Sequence, residues 1–62
     1  MLLTIGKDSL GFEARIRGNT RDDIAAGSGP TMKAALEALR FAVVGLPIGK
    51  RRDAALALIN NV

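Results

Sequence analysis

Polar and apolar positions alternate along the first part of the chain and then change to a helical period. Residues 11–17 read GFEARIR, with Phe12, Ala14 and Ile16 at one parity and Glu13, Arg15 and Arg17 at the other. That two-residue period marks a strand with one buried face. The apolar run from Leu2 to Ile5 predicts a partner strand, and Gly6-Lys7-Asp8-Ser9 between the two is turn chemistry. The pair should form an antiparallel hairpin. A second turn is expected over residues 18–22. A third strand over residues 23–26 is a weaker expectation, because Ala and Asp are poor strand formers. Gly27-Ser28-Gly29-Pro30 reads as a break and a helix start, with Ser28 or Gly29 as cap and Pro30 in the first turn.

From Thr31 to Val44 the apolar period lengthens to that of a helix. Met32, Ala35, Leu36, Leu39 and Val43 fall on one stripe, and Lys33, Glu37 and Arg40 on a polar one. Ala34, Ala38 and Phe41 make a second apolar stripe. A helix covering a sheet needs only one such face, so the second predicts its own cover. That cover is either a second helix or an interface with another protein, most simply a homodimer. Gly45 reads as a helix end with Pro47 just beyond it. A second helix should run from Lys50 to about Asn60, with Ala55, Leu56, Ile59 and Val62 inward. The expected fold is α+β: a small antiparallel sheet of two or three strands followed by two packed helices, residues 1–62 forming one small domain.

Composition sharpens this picture mainly by exclusion. A chain of 62 residues buries only about 60 % of the surface its unfolded state exposes. With no Cys and no His, there is no disulfide, thiolate nucleophile, imidazole base or imidazole ligand. Oligomerisation is then the expected stabiliser, and a dimer the expected state. A cysteine-free chain fits a reducing cytoplasm. The N-terminal apolar run stops at Ile5, too short for a signal peptide. The longest apolar run, residues 41–48, is interrupted by Gly45 and Pro47 and falls far short of the roughly 20 residues a membrane span needs. A soluble protein without membrane contact is expected.

Nine Lys or Arg against six Asp or Glu leave a net charge of +3. Lys50, Arg51 and Arg52 open the second helix, where cations oppose the helix dipole and an external anion would relieve them. Arg15 and Arg17 share the outward strand face, and Arg21 extends it; such a face can meet phosphates. Glu13 dilutes its field, and aromatics for base stacking are missing from it. In the plainer interpretation both groups are solvated charges that keep a small domain soluble. The carboxylates form no acid–base pair: Asp22 and Asp23 are adjacent, and Ser28 has no base at motif spacing. No enzymatic activity, cofactor or metal site is expected. Gly27-Ser28-Gly29 lacks the Lys-Ser/Thr ending of a phosphate-binding loop and the full dinucleotide fingerprint.

Residues 27–35, GSGPTMKAA, resemble the segment that opens the last helix of double-stranded-RNA-binding domains, matching at Gly27, Gly29, Lys33 and Ala35. Met32 and Leu36 stand where that family has phosphate-binding lysines, and the chain has no room for the family's first helix. A similar likeness runs to small antitoxins in which a Gly-x-Thr turn after a hairpin opens an Ala-rich helix. The two imply different functions, and neither is adopted. The function expected from the residues themselves is a basic accessory or regulatory module that contacts nucleic acid through Lys50, Arg51, Arg52, Arg15, Arg17 and Arg21. The alternative is a small inhibitor or adaptor whose cations address an acidic protein.

Overall fold

The computed structural model describes residues 1–19 and 22–62. Three strands, β1 (Leu2–Asp8), β2 (Gly11–Arg17) and β3 (Asp23–Gly29), precede two helices, α1 (Met32–Val44) and α2 (Lys50–Asn60). The chain is therefore a small α+β fold, a three-stranded antiparallel sheet in the order β1-β2-β3 followed by two packed helices.

The hairpin between β1 and β2 is longer than the Gly6 turn suggests. Leu2 pairs with Arg17 and Asp8 with Gly11, so Gly6 and Lys7 continue the strand. The turn is fixed by Asp8, whose Oδ1 accepts from the N–H groups of Leu10 (2.8 Å) and Gly11 (3.1 Å). Gly11 has φ +137°, which a side chain rarely tolerates. β3 also runs further than expected. Gly27, Ser28 and Gly29 are strand residues paired with Ala14, Glu13 and Phe12, where the sequence suggests a break.

Packing explains why glycine stands in that strand. A Cβ on Gly27 would lie 2.2 Å from the Leu39 nitrogen, and one on Gly29 would lie 2.7 Å from the Ala34 Cβ. The two glycines let α1 lie directly on the β3 backbone. α1 packs chiefly on β3 and β2, whereas α2 packs chiefly on α1 and touches β1 lightly. The helix is capped by Thr31, whose Oγ1 accepts from the Ala34 N–H at 3.1 Å, rather than by Ser28 or Gly29. That cap satisfies one of the otherwise unpaired N–H groups of the first turn.

The core is built from Ala14 and Ile16 of β2, Ala35, Leu39 and Val43 of α1, and Ala55 and Ile59 of α2. Leu36 and Leu56 pack against it half-buried, while Met32 and Val62 are exposed. The register between β2 and β3 slips at Ile16/Arg17: Ile16 faces Ala25 and Arg17 faces Asp23. Ile24 is the extra residue of a bulge, and both it and Ala25 pack on the core. Among the described residues, no helix is long and apolar enough to cross a membrane.

Candidate interaction site

The bulge at Ile24 sets the electrostatics of the sheet face that points away from the helices. It leaves Asp23 opposite Arg17 on that face, together with Glu13 and Arg15. The Arg15 guanidinium donates to Glu13 Oε1 at 2.8 Å and lies 3.5 Å from Asp23 Oδ2; Arg17 Nε lies 3.4 Å from Asp23 Oδ1. The two arginines are thus held in a carboxylate network and present little free positive field. Arg21, the third residue assigned to this patch from sequence, lies outside the described residues.

Lys50, Arg51 and Arg52 sit elsewhere, at the end of the helix layer. Consecutive helix residues are about 100° apart, so the three fan around the first turn of α2. Arg52 follows the stripe of Ala55, Leu56 and Ile59, and its Nε is buried with no hydrogen-bond partner among the described residues. Arg51 leans toward Asp22, with 3.8 Å between Nη1 and Oδ2. Gly49 precedes the helix and supplies no side-chain cap; Asp53 is the acid of the first turn.

These cations border a notch. Asp23 and Ile24 from the start of β3, Leu46, Pro47, Ile48 and Gly49 from the α1–α2 loop, and Lys50, Arg51 and Arg52 line a concavity of about 360 Å³. Its lining sets the apolar side chains of Ile24, Leu46, Pro47 and Ile48 beside three cations and the Asp23 carboxylate. Ile48, one of the lining residues, is 87 % exposed. Sequence reasoning found the cations but not the notch. The missing signal was the convergence of Ile24 and the loop residues on one concavity.

The residues assigned to a second helical stripe are placed differently from one another. Ala34 and Ala38 are half-buried beside β3, and Phe41 is 84 % exposed. They lie on the flank of α1 opposite Leu36 and Arg40, which line a groove with Ile59 and Val62 of α2. Among the described residues, no three His, Cys, Asp or Glu side chains come together as a metal-binding group. Comparison with protein-family models, with curated proteins and with solved structures finds no match. Fold and site together define a class rather than a family: a small α+β domain with a notch lined by apolar and charged side chains at one end.

Proposed function

We propose that this protein is a non-enzymatic binding module whose notch takes an acidic segment of a partner protein. The observation that carries this reading is the division of the basic residues. Arg15 and Arg17 are engaged by Glu13 and Asp23, so the cations do not add up to the extended stripe that tracks a phosphate backbone. Lys50, Arg51 and Arg52 lie beside apolar side chains instead. An acidic residue next to an apolar anchor complements that arrangement, since the anchor covers Ile24, Leu46 and Ile48 while the carboxylate meets Lys50, Arg51 and the uncapped amides of α2.

A phosphate-contacting module is the second reading, and the three cations at an uncapped helix N-terminus support it. One titration separates the two. A fluorescent acidic peptide with a central Leu, random duplex DNA, duplex RNA and single strands are each titrated at about 50 and about 200 mM salt. The proposal expects saturable peptide binding that Ile48→Asp abolishes and that changing Lys50, Arg51 and Arg52 to Ala weakens at least about tenfold. Tight, steeply salt-dependent binding of a nucleic acid, unaffected by Ile48→Asp, would replace it with the second reading.

A further inference from the structure

β3 is an edge strand, and among the described residues one side of its backbone pairs with no other strand. Edge strands that must stay alone are usually guarded by Lys, Pro or a bulge. β1, the other edge, carries Lys7, whose ammonium lies 5.5 Å from the centroid of the Phe12 ring. On β3 the bulge guards only the Ile24 end. The stretch beyond it reads Ala25-Ala26-Gly27-Ser28-Gly29, with no charge and no Pro.

The helix above continues this surface. α2 lies against the flank of α1 that carries Leu36. Ala34, Ala38 and Phe41 fall on the opposite flank, about 120–200° round the helix from Leu36. Because α1 packs on β3 and β2 while α2 lies against α1 and touches β1, the flank turned away from α2 faces the free-edge side of β3, and Ala34 lies over Gly29. Edge and flank together are uncharged in a protein of net charge +3, so two copies meet there without bringing cations together.

We infer that this protein pairs with a second copy of itself along β3, joining two three-stranded sheets into one continuous sheet. A two-fold axis near Gly27 makes the surface self-complementary. At that point α1 crosses the strand with the Ala35–Leu39 backbone, so Ala38 meets Ala38 of the second copy at the helix–helix closest point. Phe41 of each copy then covers Ala34 of the other, and the small side chains leave room for its ring. Glu37 stays at the solvent rim. The pairing supplies hydrogen bonds to the outer β3 groups and buries an exposed aromatic residue twice. It also compensates for a core in which three of the seven buried residues are alanine. An interface of standard size takes about 800 Å² per partner, under a fifth of the 4350 Å² surface.

The inference does not rest on the notch, and its test keeps the two apart. Sedimentation equilibrium from micromolar to millimolar protein should show a species of twice the 6.5 kDa chain. Phe41→Asp should raise the dimer dissociation constant at least about a hundredfold, because the aromatic contact occurs twice across the axis. Leu10→Asp, at a hairpin residue 91 % exposed, and Ile48→Asp, in the notch, should leave it unchanged. Hydrogen exchange on the wild-type protein gives a second readout that needs no variant. All amides of Ala25–Gly29 should be protected at high concentration, and the outward-pointing ones should exchange fast on dilution. A monomer throughout the range would overturn the inference. So would a dimer indifferent to Phe41→Asp, or one whose outer β3 amides exchange freely.

Discussion

Replacing Gly27 with alanine probes how closely the helix layer sits on the sheet. The new Cβ would stand 2.2 Å from the Leu39 nitrogen, 2.6 Å from the Ala38 carbonyl carbon and 2.8 Å from the Ala35 oxygen. All three are backbone atoms, so no rotamer change relieves the overlap. To restore ordinary contact, which begins near 3.4 Å, α1 must lift or slide by about 1 Å. A gap of that size removes a quarter to a half of the dispersion energy along the line where Ala35, Leu39 and Val43 meet Ala14 and Ile16. Overpacking of a well-filled core costs about 1–3 kcal/mol and sometimes more, and the rigid neighbours put this case at or above the upper end. A chain of 62 residues has a total stability of only about 3–9 kcal/mol, so the variant should be largely unfolded well below the wild-type midpoint. Urea unfolding followed by circular dichroism measures this. Gly6→Ala is the reference, since a Cβ there meets nothing within 4 Å. It should be neutral or stabilise by up to about 1 kcal/mol through the unfolded chain. If Gly27→Ala unfolds within about 0.5 kcal/mol of wild type, the direct seating of α1 on β3 is wrong.

Other substitutions test separate parts of the account. Leu39→Ala removes a fully buried side chain and should cost about 2–5 kcal/mol in the same urea experiment. Thr31→Ala removes the acceptor for the Ala34 N–H and should cost about 1 kcal/mol, seen as a lower melting temperature without loss of the sheet signal. Asp23→Asn weakens the network with Arg15 and Arg17. Because those side chains are substantially exposed, stability should change by less than about 1 kcal/mol. The freed arginines should, however, increase retention on a phosphate resin measurably, and unchanged retention would mean that Asp23 does not hold them.

The elements that could be read from the sequence were those whose pattern is carried by side chains. The alternation of Phe12, Ala14 and Ile16 marks β2, and the stripe of Ala35, Leu39 and Val43 marks α1; both run as expected. The end of β3 was hidden because its residues report packing against a helix rather than strand preference. Gly27 and Gly29 look like a loop until α1 is placed on them. Residues Gly6 and Lys7 misled in the same way: turn-type residues carried along a strand by the pairing of their neighbours with β2. Charge counting found Lys50, Arg51 and Arg52 and set Glu13 beside Arg15 and Arg17, but did not bring in Asp23. That they meet Asp23 depends on a one-residue bulge, and no periodic pattern records it. The apolar lining of the notch was invisible too, since Ile24 and Ile48 are far apart in sequence and come to line one concavity only when the sheet and the α1–α2 loop are assembled.

The division of labour between the two basic regions is most directly tested by chemical-shift mapping on isotope-labelled protein. The acidic peptide and a random DNA duplex are added in separate titrations. The account predicts that the peptide moves the amides of Ile24, Leu46, Ile48 and Lys50 to Arg52, and that the duplex leaves Arg15 and Arg17 unmoved. Shifts spreading from Lys50 across Arg15 and Arg17 on adding duplex, with no response to the peptide, would contradict it.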